Sequence, residues 1–218
     1  MKHMQADKYT IAWFKIADYV SRGEKERALG VYRLLSHSFN DDAVARQLEA
    51  DIYFSCNEQE RAIFLYRQAM ELYQKSKRFM EAAAIGEHLL LLLPHDVLLR
   101  RETILCYNHI KLASKMYVHA QRFIEAYARE NKWQEIEHFV HEQDAHLEPL
   151  ARLALYQPII IAAHNSGGHN ELAYMCIQKI IKSLFCNEYE CALQEFLAAL
   201  RAVNEDFYQY ALECLKQE

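Results

Sequence analysis

Apolar side chains recur along most of the chain at intervals of three and four residues. Ile63, Tyr66 and Met70 form one such stripe, and Trp13 and Ile16 begin another. These intervals bring side chains to one face of an α-helix, whereas a half-buried strand would alternate apolar and polar positions. The pattern predicts twelve helices in six antiparallel hairpins, at about 8–38, 42–76, 78–110, 112–143, 148–185 and 188–217.

The breaks between the stripes carry residues that end or begin helices. Gly23 and Asn57 suit the left-handed turn that closes a helix, and the segment 40–42 is typical of a helix start. Pro149 fits a first helical turn, whereas Pro158 is expected to kink or split its helix. Only 5 glycines and 3 prolines occur in 218 residues, which favours an all-α fold over a turn-rich β fold.

A repeat of 34 residues is visible in the first third of the chain. The segment 24–28, with the sequence EKERA, returns as EQERA at 58–62. The same shift pairs Tyr19 with Tyr53. A period of this length indicates stacked helix hairpins, in which each hairpin buries its apolar face against its neighbours.

The second repeat resembles the tetratricopeptide repeat (TPR) family. That family carries a small residue and a tyrosine in the first helix, then a turn, then Ala-x-x-x-aromatic-x-x-Ala in the second helix. The matching residues here are Ala50, Tyr53, Asn57, Ala62, Tyr66, Ala69 and Leu72. The resemblance implies an all-α superhelical solenoid of about six antiparallel helix hairpins. It also implies one domain over residues 1–218 that acts as a protein–protein interaction scaffold.

Small residues mark the expected helix crossings. Ala50 and Ala62 are predicted to face each other, because only short side chains allow two helices to approach closely. The phase of the repeat is open after residue 76. Ala113-x-x-x-Tyr117-x-x-Ala120 fits the second helix of a hairpin, although the hairpin 112–143 requires a first helix there.

The resemblance also implies where a partner binds. In TPR proteins, the ligand-facing positions of each first helix lie three before, one after and four after the small crossing residue. The candidate residues of such a concave groove are Trp13, Gln47, Asp51, Phe54, Glu87, Gln121, Glu125 and Asn165. The mapped positions include three acids and no base. A basic-amphipathic peptide or partner helix is therefore favoured by charge complementarity.

The charge balance and the N-terminal sequence limit the other partners. A formal net charge of −5 argues against nucleic acid or an anionic membrane, because both attract basic surfaces. The longest charge-free stretch, 153–170, contains a proline, two glycines and polar residues, so no membrane span is expected. Residues 1–9 lack the apolar segment of a secretory signal, and the 6 cysteines form no C-x-x-C pair. We therefore expect a cytoplasmic protein with reduced thiols.

One cluster of metal-ligand residue types stands out. Glu135, His138 and His141 occur in the sequence EIEHFVH, at spacings of three that share a helix face. A di-iron carboxylate site would need a second Glu-x-x-His and further carboxylates, and the sequence has no second copy. The common phosphate-binding, dinucleotide-binding, nucleophile-elbow and zinc-protease motifs are also missing. We expect neither an enzyme nor a resident metal or cofactor.

Two other functions stay open at this point. The C-terminal hairpin, with Phe207, Tyr208 and Tyr210, is a candidate surface for a self-associating structural array. A metal-binding or enzymatic helical protein centred on His138 and His141 is the less favoured alternative.

Overall fold

The computed structural model describes residues 2–36, 39 and 41–218, except for the side chains of residues 2–10 and 187. In this part of the chain the fold is all-α, as the periodicity predicts, and no strand occurs. The helices are α1 (Lys2–Ser21), α2 (Lys25–Ser36), α3 (Asp42–Ser55), α4 (Gln59–Lys75), α5 (Phe79–Leu92), α6 (Val97–His109), α7 (Ala113–Arg129), α8 (Trp133–Asp144), α9 (Pro149–Ser166), α10 (Asn170–Leu184), α11 (Glu190–Val203) and α12 (Glu205–Leu215). A short 3₁₀ helix, Asn187–Tyr189, precedes α11.

Most helix ends lie within two residues of their predicted positions. The main exception is α1, which begins at Lys2 rather than near residue 8. The predicted end of α2 at residue 38 lies outside the described residues. In the predicted helix start 40–42, Asp41 caps α3, and residue 40 is outside the described part.

Contacts divide the chain into two compact units. The first unit, Met1–Pro94, contains α1 to α5, and the second unit, His95–Glu218, contains α6 to α12. The predicted hairpin 78–110 therefore joins a helix of one unit to a helix of the other. A single domain over residues 1–218 stays a prediction.

In the first unit, each helix packs on the next one along the chain, from α1 to α5. The pair α3 and α4 makes the most extensive contact of these. Ala50 of α3 and Ala62 of α4 are fully buried, as expected where two helices approach closely. Tyr32 and Tyr66 are also buried, and they contribute to the core that holds the hairpins together.

Asp41 connects the start of α3 to the start of α5. Its carboxylate accepts hydrogen bonds from the backbone N–H groups of Ala43 (3.0 Å) and Val44 (3.2 Å), which caps α3. The same carboxylate forms an ion pair with Arg78, the residue before α5. The Arg78 guanidinium also lies 4.6 Å from the centre of the Tyr73 ring. One acid thus fixes the positions of two helix ends.

Five of the helix ends that the structure describes have the same left-handed turn. The backbone N–H of the second residue after the helix cap bonds to the carbonyl of a tyrosine in the last helical turn, at 2.8–3.1 Å. The residue before that donor has a positive φ in every case: Gly23, Asn57, Lys77, Lys111 and Asn131. The accepting tyrosines are Tyr19, Tyr53, Tyr73, Tyr107 and Tyr127. We call these the tyrosine turns.

The tyrosine turns are spaced by alternating steps of 34 and 20 residues. The sequence predicts the 34-residue step but not the shorter one. Together the two steps relate α3–α5 to α6–α8 by a shift of 54 residues. Under this shift α4, residues 59–75, corresponds to α7, residues 113–129, and both have 17 residues. The chain therefore contains two three-helix modules with matching turns.

In the second unit, α7 packs more extensively on α6 and on α9 than on α8. The predicted pairing of α7 with α8, as the hairpin 112–143, therefore differs from the structure. The buried residues Met116, Ala120 and Ile124 form part of an apolar stripe on α7 that is wide enough for two neighbours. The arrangement agrees with the alternative phase of the repeat, in which α6 is the first helix of a hairpin and α7 is the second. The remaining pairs are α9 with α10, and α12 with both α10 and α11.

Asp144, the last residue of α8, connects α8 to α9 and α10. Its carboxylate accepts hydrogen bonds from the Tyr156 hydroxyl (2.5 Å), the Lys179 ammonium (2.7 Å) and the Arg152 Nε (3.3 Å). Burial opposes ionisation of Asp144. The hydrogen bonds from Lys179 and Tyr156 and the charges of Lys179 and Arg152 outweigh it and hold the pKa of Asp144 below its usual value.

Pro158 lies inside α9, and of the predicted kink or split the split does not occur. Its side chain is buried, and the residues around it, such as Leu155, Tyr156 and Ile159, are almost completely excluded from solvent. This packing maintains one continuous helix despite the backbone donor that proline lacks. None of the described helices combines the length and apolar character that crossing a bilayer requires.

Replacing Ala62 by leucine tests the close crossing of α3 and α4. Ala62 is 0% exposed, so Ala62→Leu should lower the free energy of unfolding by about 1–3 kcal/mol through overpacking. Ala84 is exposed on α5, and Ala84→Leu should change it by less than about 0.5 kcal/mol. Urea unfolding of both variants measures the difference. Equal stability of the two would show that Ala62 is not at a close crossing.

Replacing Asp144 by asparagine tests the ionic connection in the second unit. At pH 7, Asp144→Asn should cost about 1–3 kcal/mol, because three donors lose a charged acceptor. A lowered pKa means that the ionised carboxylate stabilises the fold above the unfolded-state pKa of about 3.9. The difference from the natural chain should therefore shrink as the pH falls below about 4.

Thermal unfolding from pH 7 to pH 2 measures this trend. Asp206→Asn, at an exposed aspartate in α12, serves as the control and should show a small effect throughout. A difference for Asp144→Asn that stays constant with pH would rule out the ionic role.

Candidate protein-binding surface

Three of the predicted groove residues lie together on α3. Gln47, Asp51 and Phe54 are spaced by four and three residues, which places them on one face of the helix. Phe54 and Gln47 are partly buried, and Asp51 is exposed. We refer to these three residues as the α3 face.

Two tyrosines of α4 hold the polar residues of the α3 face. The Tyr66 hydroxyl donates to the Asp51 carboxylate at 2.5 Å, and the Tyr73 hydroxyl donates to the side-chain carbonyl of Gln47 at 2.7 Å. Tyr66 and Tyr73 are seven residues apart, two turns of one helix, so they follow the same groove as Gln47 and Asp51. The orientations of both acceptors are therefore fixed before any partner binds.

His88 of α5 completes the aromatic part of this surface. Its ring lies 5.2 Å from the Phe54 ring and 4.8 Å from the Tyr66 ring, edge to face in both cases. Phe54 and Tyr66 are also edge to face, with centres 6.5 Å apart. Such arrangements align the positive ring edge with the negative ring face. The Nε2 atom of His88 is buried and has no hydrogen-bond partner among the described residues.

The surrounding protein changes the ionisation of Asp51 and Tyr66. Desolvation raises the pKa of Asp51, while the Tyr66 hydrogen bond and the nearby His88 act in the opposite direction. Because the Asp51 side chain is open to water on one side, solvent moderates this shift. Burial, and then the hydrogen bond to Asp51, raise the pKa of Tyr66, so it remains a hydroxyl donor at neutral pH.

The other predicted groove residues lie apart from the α3 face. Trp13 is 43% exposed on α1, and Glu87 is partly buried on α5, next to His88. In the second unit, Gln121 and Glu125 are exposed on α7. The Gln121 amide donates to the Glu125 carboxylate at 2.9 Å, and Asn165 is exposed near the end of α9.

The residues of the two alternative sites do not form a comparable surface in the structure. Phe207 is 1% exposed and packs edge to face on His164 and Tyr174, so it is a core residue and not an exposed association surface. Tyr208 and Tyr210 are partly buried. His138 and His141 are both exposed on α8. Within the described part of the chain, no group of three or more His, Cys, Asp or Glu side chains is placed to hold a metal ion.

Sequence reasoning did not identify the residues that hold the α3 face. Tyr66 is predicted as a packing residue, and Tyr73 and His88 carry no functional prediction. The sequence does contain a signal for the two tyrosines. Tyr66 and Tyr73 are two turns apart on α4, so they share one helix face, as Gln47 and Asp51 do one turn apart on α3. The position of His88 depends on how α5 packs, which no local pattern indicates.

Comparison of the chain with family models, with curated proteins and with solved structures finds no match. The TPR resemblance therefore rests on the residues of this chain, and so does the assignment of the α3 face.

Removing the Tyr66 hydroxyl tests the electrostatics of the α3 face. The hydrogen bond from Tyr66 favours the ionised form of Asp51, so Tyr66→Phe should raise the pKa of Asp51 above its value in the natural chain. Tyr73→Phe removes the hydroxyl that binds Gln47 and should leave the pKa of Asp51 nearly unchanged. NMR titration of the Asp51 carboxyl carbon measures both. An identical pKa in all three proteins would contradict the hydrogen bond.

Proposed function

We propose that the chain is a TPR-like scaffold that binds a peptide segment or helix of a partner protein. In this proposal the helix hairpins form a superhelical solenoid, and the α3 face is part of the binding groove. Because none of the 6 cysteines forms a disulfide, the proposal also places the protein in a reducing compartment, the cytoplasm.

The packing within the first unit supports the solenoid. Helices of the first unit pack mainly on their neighbours in sequence, which is the contact pattern of repeat proteins. The tyrosine turns give successive hairpins the same tight, left-handed connection. The 34-residue step between Gly23 and Asn57, and between Lys77 and Lys111, equals the period of the TPR family.

One observation carries the binding function: the α3 face presents polar and aromatic groups that are already fixed in place. The tyrosine hydroxyls hold Gln47 and Asp51, and the rings of Tyr66 and His88 hold Phe54. Side chains that are ordered before binding lose less conformational entropy on association. A partly buried aromatic side chain beside an exposed acid is also a common composition for a binding hot spot and its rim.

The chemistry of the α3 face favours a basic-amphipathic partner. Tyr66 contacts one oxygen of the Asp51 carboxylate, Oδ1, so Oδ2 can accept from a lysine or arginine of the partner. Phe54 offers an apolar contact one turn away. A basic side chain followed by an apolar one, at helical spacing, would engage both.

Catalysis forms no part of this proposal. The acid of the α3 face is hydrogen-bonded to Tyr66 and the amide to Tyr73, which suits recognition of a surface better than proton transfer. Self-association through the C-terminal hairpin is not favoured either, since Phe207 is buried within the second unit.

Partner binding tests the proposal. The full chain used as bait, followed by mass spectrometry, identifies a partner, and titration of its binding segment gives the affinity. Asp51→Asn retains an oxygen for Tyr66 but removes the charge, so it should weaken binding about two- to tenfold and flatten the salt dependence. Phe54→Ala should weaken binding about tenfold or more.

Glu60→Gln is the matched control, because Glu60 is an exposed acid of α4 outside the α3 face. It should bind the partner as the natural chain does. If Asp51→Asn and Phe54→Ala both bind with unchanged affinity, the partner does not occupy the α3 face and the proposal fails.

A further inference from the structure

A cavity of about 230 Å³ lies between α6, α7 and α8 in the second unit. Phe123, Tyr127 and Phe139 form its apolar wall. The Phe123 ring lies 4.8 Å from Tyr127 and 5.0 Å from Phe139, so the three rings support one another. An apolar protein cavity of roughly 150 Å³ is known to hold benzene, so this space accommodates a single ring or a short branched chain. We call it the aromatic cavity.

Arg101 of α6 brings a positive charge to the aromatic cavity. Its guanidinium lies 5.2 Å from the centre of the Phe139 ring, and its Nη2 forms an ion pair with Glu142. The Nε atom is buried and has no hydrogen-bond partner in the part of the chain that the structure describes. A buried donor on a charged group costs free energy until an acceptor reaches it. The cavity wall thus contains a cation that lacks one acceptor.

The other polar groups of the wall are mainly donors. Tyr127 carries a hydroxyl, and Gln134 and His138 offer N–H groups. Glu135 supplies the negative charge on the wall, and Lys132 lies close enough for Glu135 to raise its pKa, after the larger effect of Glu130. The Glu135-x-x-His138 pair that resembles half of a metal site therefore shares a cavity with Arg101, whose charge opposes metal binding.

The first module shows what the same positions do without an arginine. The shift of 54 residues relates Gln47 to Arg101 and Tyr73 to Tyr127. In the first module, the Tyr73 hydroxyl donates to Gln47 and both groups are satisfied. In the second module, arginine replaces the amide, and the Arg101 Nε has no hydrogen-bond partner among the described residues. A carboxylate from outside the chain would complement the positive charge that replaces the amide.

We propose that the aromatic cavity binds a carboxylate carried on a compact apolar or aromatic stem. The stem packs against Phe123, Tyr127 and Phe139, and the carboxylate accepts from the Arg101 guanidinium and the Tyr127 hydroxyl. The carboxylate belongs either to a small free acid or to an acidic side chain of a peptide. The aromatic cavity lies in the second unit, so this inference does not depend on the binding of a partner at the α3 face.

Titration of the full chain with benzoate tests the site. Benzoate should bind saturably and shift the NMR signals of Tyr127 and His138. Benzamide has the same ring but no charge, and it should bind at least about fivefold more weakly. The end-blocked peptide acetyl-Gly-Glu-Gly-amide, whose one charge is the glutamate carboxylate, is compared with its glutamine counterpart to test the peptide source of the carboxylate. Binding of benzoate alone assigns a small acid, and preference for the glutamate peptide assigns a protein ligand.

Two substitutions are expected to change the affinity for benzoate in opposite directions. Arg101→Gln removes the cation and should weaken binding about tenfold or more. Glu135→Gln removes an exposed like charge and should strengthen binding about two- to fivefold. Glu137→Gln neutralises an exposed acid of the same helix that does not line the cavity, so it should leave the affinity unchanged.

The Glu135→Gln result stands even if Arg101→Gln disturbs the packing of α6, since Glu135 is exposed on α8. The proposal is overturned if neither benzoate nor the glutamate peptide binds, or if benzamide binds as tightly as benzoate. Weaker binding of benzoate to Glu135→Gln would likewise overturn it, because that result would indicate a site for cations.

Discussion

The left-handed residue that closes each tyrosine turn is the constraint on which both units depend. A positive φ turns the chain sharply after the helix and lets the next helix begin within two residues. Four of these residues are not glycine, and a left-handed conformation costs such residues roughly 1–2 kcal/mol. Two backbone hydrogen bonds at each turn offset this cost. Local backbone geometry thus sets where each of these helices ends, and apolar burial selects which helices pack together.

Several tyrosines of this protein form structural hydrogen bonds through the backbone carbonyl or through the side-chain hydroxyl, and Tyr73 uses both. Their backbone carbonyls accept the hydrogen bonds that close the turns, and Tyr73 does this while its hydroxyl binds Gln47. Tyr66 and Tyr156 place hydroxyls on Asp51 and Asp144. A buried aromatic ring supplies packing, and its polar tip satisfies an acid that packing would otherwise leave with too few donors. The surface proposed to bind a partner therefore uses the same residues that hold the helices together.

Much of the fold follows from the sequence, because helix ends and apolar stripes are local features. Gly23 and Asn57 are recognisable as left-handed residues, whereas Lys77 and Lys111 are not, since lysine rarely adopts that conformation. For this reason the 20-residue step and the pairing of α7 escape the sequence pattern. Of the site, the sequence gives the face of α3 but not the position of His88, which depends on how α5 packs.

The hydrogen bonds of Asp144 affect how the last turn of α8 unfolds locally. The last turn of a helix is normally the first part to fray, because its carbonyls lack partners within the helix. At the end of α8, fraying would release Tyr156, Lys179 and Arg152 from one acid at the same time. We therefore expect the end of α8 to open together with its contacts to α9 and α10, so its amide protons should exchange with solvent more slowly than those of a helix end without such contacts.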